Sequence, residues 1–315
     1  MISIIIVNYN GKRFLENCLD SLARQTFAGA EILLVDNGSS DGSGDYVRKH
    51  FPSIILLPMT ENLGFAGGVN AGIIKSSGEF IVTLNNDTVA DPLMLEELVQ
   101  PMMADPRIGM CGAKMVYPDG RINSTALCIS RSGAAWDRGK GEEDRGQWDA
   151  KEPVFGPCAG AALYRRSMLE EIGLFDEELF LFMEDVDLAF RAQLAGWRCM
   201  YVPTAKVTHI HGGTAGTGTG TAVYYGNRNR LLYILKDFPV SMILWSSPWI
   251  IGRTCIAIPY HIIKGNGGPV LRAVFDVFRK AGIFLKKRDS VRRKTGDTEI
   301  YRWILTWSDS AGQRP

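Results

Sequence analysis

The sequence predicts an α/β fold, a mostly parallel sheet flanked by helices, on three observations. Short β-branched runs alternate with segments of helical spacing, the pattern of strands joined by crossover helices. Each run ends in a polar or Gly-rich cluster. Of the 315 residues, 46% are hydrophobic and 22% charged, enough apolar material for one large α/β unit with an extension, or for two small domains.

The first strand is expected over Ile2–Val7 and ends at Asn8-Tyr9-Asn10-Gly11. A helix follows, with Phe14, Leu15, Cys18, Leu19 and Leu22 on one face. Further strands are expected at Ile32–Val35, closed by Asp36 through Gly42, at Ile54–Leu57, and at Phe80–Leu84, closed by Asn85-Asn86-Asp87. Ligands of open α/β sheets bind outside the carboxyl ends of the strands, so these clusters are expected to meet at one rim. From Tyr117 to Pro157 the pattern weakens, and this stretch reads as a long loop, functional or mobile. Helical spacing returns over Glu184–Ala195, where Gly196 suits the stop, and again from about Tyr224 to Lys236. The main domain is expected to end near Phe238, giving a unit of 1–238 and an extension of 239–315.

The 35 Lys and Arg nearly balance 34 Asp and Glu, for a net charge of +1, which speaks against a nucleic-acid polycation. The six cysteines form no C-x-x-C pair, which disfavours a zinc ribbon or a disulfide scaffold and suits a reducing cytosol. The apolar run at the N-terminus stops after Val7, short for a signal peptide. Val240 to Ile263 is the most apolar stretch, but Pro248, Arg253, Pro259 and His261 interrupt it, so lying on a membrane fits better than crossing one. Ten basic residues against Asp276 and Asp289 follow between Lys264 and Lys294, a local excess of +8. Apolar burial next to clustered positive charge suits a peripheral membrane contact. A helical subdomain packed on the main domain, or on a second subunit of a homo-oligomer, is the other reading.

Asp87 stands just past an apolar strand, where a carboxylate can hold a divalent cation together with substrate phosphates or simply satisfy turn amides. Glu184-Asp185 opens a helix, a place the helix dipole favours for acids, and follows an apolar run that can tune a general base. His209 and His211 offer imidazole for a metal, with nothing in the spacing to tie either to Asp87. Gly67-Gly68-Val69-Asn70-Ala71-Gly72 permits close backbone approach to a ligand. No G-x-G-x-x-G follows a strand, and neither a P-loop nor a G-x-S-x-G elbow is present.

Taken in order, Ser3 to Gly11, Leu34 to Gly42, Glu61-Asn62-Leu63-Gly64-Phe65-Ala66 and Leu84 to Asp87 resemble the inverting family 2 glycosyltransferases of the GT-A fold. Gly173 to Glu177, Phe182-Met183-Glu184-Asp185-Val186-Asp187-Leu188, the His209 segment and Tyr225 to Arg230 are similar to its rhamnosyltransferase-like branch. The resemblance spans about residues 2–236. It implies that Asp36 reads the pyrimidine of a nucleotide-sugar donor, with Asn8, Tyr9 and Asn10 beside it and Asp41, Asn62, Gly67, Asn70, Asn85 and Asn86 as further donor-side residues. Asp87 corresponds to the metal-binding end of a D-x-D motif whose first position is here Asn85. His209 resembles an additional ligand for Mg²⁺ or Mn²⁺, with His211 as the competing choice. Asp185 matches the base that deprotonates the acceptor, and Glu184 shares its network.

The implied reaction is a single displacement that moves a sugar from a nucleotide-diphosphate donor, by resemblance dTDP-L-rhamnose, to a glycan or lipid-linked acceptor in cell-surface polysaccharide synthesis. The expected location is the cytoplasm, peripheral on the membrane face. A catalytically degenerate nucleotide-sugar or glycan-binding module is the alternative, and retention of both Asp87 and Asp185 speaks against it. A nucleotidyltransferase is disfavoured because Gly11-Lys12-Arg13 is too slight a phosphate signature.

Overall fold

The computed structural model describes residues 1–210 and 219–305. Its strands are β1 (Ile2–Asn8), β2 (Ala30–Asp36), β3 (Ile55–Pro58), β4 (Phe80–Asn85), β5 (Thr88–Ala90), β6 (Ile108–Val116), β7 (Ile122–Ser124), β8 (Leu127–Ser130), β9 (Ala135–Asp137), β10 (Glu152–Val154), β11 (Ala161–Arg165), β12 (Arg198–His209) and β13 (Ile304–Leu305). The helices are α1 (Lys12–Ala23), α2 (Ser43–His50), α3 (Gly64–Lys75), α4 (Met94–Ala104), α5 (Arg166–Ile172), α6 (Glu184–Leu194), α7 (Gly220–Asp237), α8 (Val240–Ile263), α9 (Gly267–Arg288) and α10 (Asp297–Tyr301).

The main sheet runs β10-β12-β6-β11-β4-β1-β2-β3, with β5 on β12 and β7 on β6. Strands β3, β2, β1 and β4 are parallel, and β11 is antiparallel between β4 and β6. The chain winds outward from β1 to β3 and then returns to place β4 on the other side of β1. That reversal is the switch point at which an α/β sheet opens a crevice.

Side chains of β1 alternate between the two faces, as period 2 requires. Ile2, Ile4 and Ile6 join Leu15, Leu19 and Leu22 of α1 and Leu95 and Leu98 of α4 in one core. Ile5 belongs to the other core, with Val69 and Ile73 of α3. Each fully buried Leu or Ile contributes about 1.5–3 kcal/mol. The glycines of α3 serve this packing: a Cβ on Gly72 would stand 2.4 Å from Ile5 Cγ2, and one on Gly68 2.8 Å from Val7 Cγ1. Gly68 and Gly72 thus make their close approach to β1, whereas a Cβ on Gly67 would stand 2.8 Å from Leu63 Cβ.

Residues 117–157 are not the long loop expected from their weak pattern. They carry β7 to β10, and β8 pairs with β9 and with β13 from the far end of the chain in a second, three-stranded sheet. Short strands completed by a distant partner give no alternating run for a sequence reading to detect.

The C-terminal segment returns to the main unit. Phe284 and Val277 of α9 pack with Leu179 and Leu232 of α7, and Ile300 and Ile304 enter the main core. Three of the ten basic residues pair across this contact, Lys280 with Glu178, Lys287 with Asp176 and Lys294 with Glu171, whereas Arg272 and Arg279 pair with Asp276 within α9. Among the described residues no helix is long and apolar enough to cross a membrane.

Candidate active site

Parallel register brings the strand-end clusters to one level. Asn8 pairs with Asp36 across β1–β2, Val7 with Asn85 across β1–β4, and Asp36 with Pro58 across β2–β3. The amide of Asn86 donates to Asn8 Oδ1 at 2.8 Å and so ties the two sides of the switch point. Gly11 makes room for this bond, because a Cβ there would lie 2.1 Å from Asn86 Nδ2. Asn8 Nδ2 donates onward to Ser39 Oγ at 3.2 Å, the Asn10 N–H donates to the same oxygen at 3.0 Å, and Tyr9 stands half-buried between them.

Asp36 is half-buried at this rim, and its Oδ1 is buried with no hydrogen-bond partner among the described residues. A buried acceptor without a donor costs about 1–3 kcal/mol, and a ligand N–H restores it. Asp41 differs: its Oδ2 accepts the Lys12 N–H at 2.9 Å and its Oδ1 the Ser43 N–H at 3.0 Å, so it joins the starts of α1 and α2. Asn62 accepts from the Gly64 N–H at 2.9 Å and from Asn37 Nδ2 at 3.1 Å. Asn70 is not brought to the rim. Its amide spans from α3 to the segment after α5, donating to Phe175 O and Glu177 Oε1 and accepting the Phe175 N–H.

Asp87, only 4% exposed, meets His209 across the β5–β12 pair, with Oδ1 3.1 Å from Nε2. On the far side of the ring, Nδ1 lies 3.1 Å from Asn123 Oδ1. An Nδ1–H donated to that amide oxygen turns the Nε2 lone pair toward the carboxylate, an arrangement a cation between them would satisfy. Imidazole plus carboxylate, completed by diphosphate oxygens and water, suits Mn²⁺ or Mg²⁺. His211, the competing ligand, lies outside the described residues.

Glu184 and Asp185 open α6 after a strained turn in which Phe180, Phe182 and Met183 all have positive φ, between 65° and 70°. Such backbone costs about 1–3 kcal/mol per residue and persists only where its surroundings hold it. Three donors do so here. Asn229 Nδ2 donates to the carbonyls of Leu179, Leu181 and Phe182, Arg228 donates to those of Glu178 and Leu179, and the Phe65 N–H at the start of α3 donates to Phe180 O.

Asp185 Oδ2 accepts the Ala159 N–H at 3.3 Å, and the neighbouring Gly160 carbonyl accepts the Asn85 N–H at 3.0 Å. The acid thus stands one peptide away from the strand-end rim. Burial and the charge of Asp137 push the Asp185 carboxyl above the usual range. Burial and Asp185 itself push Glu184 up as well, and its Oε2 has no partner among the described residues.

Sequence reasoning gave no role to Asn37 and Asn229, though both stand in segments that carry the family resemblance, and it missed Asn123 and Asp137. Asn37 is buried and braces residues 62–64, and its signal was its place within the Asp36–Gly42 cluster. Asn123 and Asp137 lie in the stretch read as a loop, where nothing marked them.

Comparison with known proteins agrees with this geometry. The family model for glycosyl transferase family 2 matches residues 3–173. N-acetylglucosaminyl-diphospho-decaprenol L-rhamnosyltransferase of Mycobacterium tuberculosis is 30% identical over 290 residues, covering 84% of this chain and 92% of that protein. The crystal structure of GalNAc-T7 with UDP, GalNAc and Mn²⁺ superposes with a TM-score of 0.62 at 17% identity, over 75% of this chain and 48% of that one. The mannosyltransferase PcManGT of Pyrobaculum calidifontis, in complex with GDP-Man and Mn²⁺, gives 0.55 at 17% identity, over 92% and 84%. At that identity the two structures speak for the fold alone, which is GT-A. With the matched family model, the rim of strand-end polar groups and the acid at the start of α6, the chain belongs to glycosyl transferase family 2 and is a rhamnosyltransferase-like glycosyltransferase of the GT-A fold.

Proposed function

We propose that this glycosyltransferase moves L-rhamnose from dTDP-L-rhamnose to a hydroxyl of a lipid-linked, diphosphate-bearing glycan, inverting the anomeric carbon, in the synthesis of a cell-surface polysaccharide. The observation that carries this reading is the bridge through Ala159-Gly160, which sets a carboxylate of raised pKa beside the donor rim. The mycobacterial relative, whose name states a diphospho-decaprenol acceptor and rhamnosyl transfer, supports the choice of donor and acceptor.

Asp36 offers its unpartnered oxygen to the N3–H of the pyrimidine, and the Asn8–Asn86 pair and Asn85 line the path of the diphosphate. Asp87 and His209 would hold a divalent cation, whose chemistry when bound is Lewis-acid neutralisation of the leaving diphosphate. Asp185 takes the proton of the acceptor hydroxyl as that oxygen attacks from the face opposite the leaving group. Glu184, its pKa raised to about 8, keeps its proton at neutral pH and adds no second charge beside the base.

Residues 1–238 act in this reading as the catalytic domain, and residues 239–315 carry the acceptor side. Exposed Leu244, Trp249, Ile251 and Ile256 of α8 and Phe275 and Phe278 of α9 suit contact with the cytoplasmic face of a membrane, where a lipid-linked acceptor resides.

The test is sugar transfer by the purified protein with Mg²⁺ or Mn²⁺, using dTDP-L-rhamnose against UDP- and GDP-sugars and a prenyl-diphospho-N-acetylglucosamine acceptor, with the product anomer read by NMR. Rhamnosylated lipid of inverted configuration is expected. Transfer from another donor, or retention of configuration, overturns the reading.

A further inference from the structure

Three arginines converge where the β8–β9 turn meets α7 and α8. Arg131, in the turn, lays its guanidinium over two indoles, 3.4 Å from the ring centre of Trp245 and 4.7 Å from that of Trp249. Arg230 of α7 donates to Ser132 O and to Thr254 Oγ1, which places it beside both Arg131 and Arg253. Arg253, one helical turn beyond Trp249, forms the exposed side of the group.

No carboxylate among the described residues pairs with any of the three. This is unusual, because buried charges are normally paired. Arg230 is only 4% exposed, and burial together with Arg253 brings its pKa down to about 10. His261, farther along α8, is likewise lowered by burial and Arg253. The Nε atoms of Arg230 and Arg131 are both buried without a hydrogen-bond partner. Two orphaned cationic donors and a third exposed cation need an oxyanion with several acceptors, which a phosphate ester supplies.

The position suits one anion above others. Leu127 of β8 pairs with Asp137, the residue whose charge acts on Asp185, and donates its N–H to Gly156 O. Arg131 follows four residues on, about 13 Å along an extended chain. Beyond the arginines lie the exposed apolar residues of α8, among them Ile251 and Ile256.

We propose that Arg131, Arg230 and Arg253, floored by Trp245 and Trp249, bind the diphosphate of the lipid-linked acceptor and set the distance from its anchor to the attacking hydroxyl. The proposal rests on the functional reading above for the identity of the acceptor; the anion site itself rests on the arginines. An anionic phospholipid headgroup carries the same phosphate chemistry, and the experiment separates the two.

Arg230→Gln is the obvious variant but removes a buried side chain, so Arg131→Gln and Arg253→Gln are the informative ones. Farnesyl diphosphate is titrated against the indole fluorescence of the full-length protein in detergent, with farnesol and dTDP as controls. Saturable binding of the diphosphate, weakened tenfold or more in either variant while dTDP binding is unchanged, is expected. Failure of the diphosphate to saturate, or equal affinity in the variants, overturns the site. Loss of binding to phosphatidylglycerol vesicles with farnesyl diphosphate affinity unaltered assigns the arginines to headgroups and also overturns it. Sugar transfer is read in the same preparation: arginine-dependent diphosphate binding without transfer to any lipid-linked acceptor retires the functional reading and leaves the site standing.

Discussion

His209 Nε2 and Asp87 Oδ1 lie 3.1 Å apart although 122 positions separate them in the chain. Antiparallel pairing of His209 with Thr88 sets this distance, and Asn123 holds the ring from behind. An outer partner of this kind fixes the tautomer, and its loss typically lowers metal affinity by about 10–100-fold. Asn123→Ala is expected to raise the Mn²⁺ concentration for half-maximal donor binding by about that factor, while Asp87→Ala abolishes the metal dependence. Calorimetric titration of Mn²⁺ in the presence of dTDP checks both. Unchanged Mn²⁺ affinity in Asn123→Ala removes the residue from the metal shell.

As the proposed base, Asp185 would act only when ionised, and burial and the negative charge of Asp137 bring its pKa up to about 6. Turnover is therefore expected to rise with pH through about 6, and to do so at lower pH in Asp137→Asn, which removes the repelling charge. Asp185→Asn is expected to lower kcat by about 10²–10⁴. It should also stabilise the fold above pH 6. A carboxyl whose folded pKa is raised costs stability as pH climbs from its unfolded value of about 4 to its folded value of about 6, and the full cost, on the order of 1–3 kcal/mol, stands above that. Chemical denaturation at pH 5 and pH 8 reads the sign, and a variant stabilised only at pH 5 contradicts the assignment.

The turn before Glu184 depends on Asn229 and on Gly64. Asn229→Ala removes an amide whose two N–H groups are shared among the carbonyls of Leu179, Leu181 and Phe182, a loss of about 2–3 kcal/mol. Gly64→Ala places a Cβ 2.3 Å from Phe180 O, at a residue whose φ is +72°. Both variants are expected to lose turnover more than donor affinity, because the turn leads directly into the α6 acids. Limited proteolysis should cut within 180–183. A variant that keeps full kcat shows that the turn does not position the base.

How far the sequence reveals this protein depends on the range over which each feature is written. The parallel half and its rim were legible, because β1, β2 and β4 each end in their own polar cluster and register does the rest. The acid pair at the start of α6 was legible by its position on a helix. The second sheet was not, since β8 is completed by β13 some 175 positions later, and neither strand is long enough to show a period. The basic segment was legible only as two alternatives, a membrane contact or a subdomain packed on the main unit; Lys280, Lys287 and Lys294 do find carboxylates on that unit, and tertiary pairing leaves no local mark by which to choose. The arginine cluster was hidden for the same reason, its three members being contributed by a hairpin turn and two helices.

Lys236 joins the catalytic unit to its extension through buried charge. It pairs with Asp176 at 2.7 Å and with Asp187, which also accepts from Arg191 Nε at 2.9 Å, while Lys287 of α9 reaches Asp176 from the other side. Burial alone would push the Asp187 carboxyl up, but Lys236 and Arg191 outweigh it and hold the group down at about 2. A carboxylate with a depressed folded pKa stabilises the protein above its unfolded pKa, and that stability is lost as pH falls from about 4 toward 2. Lys236→Met leaves two buried carboxylates short of a partner and is expected to cost about 3–5 kcal/mol. The double variant Lys236→Met with Asp187→Asn should recover part of that loss, because the second change removes the unpaired charge. Urea denaturation of the wild type, both single variants and the double variant at pH 7 and pH 3 measures the coupling. A coupling near zero at pH 7, or one as large at pH 3, shows that Lys236 contributes by packing against Phe284 rather than by its charge.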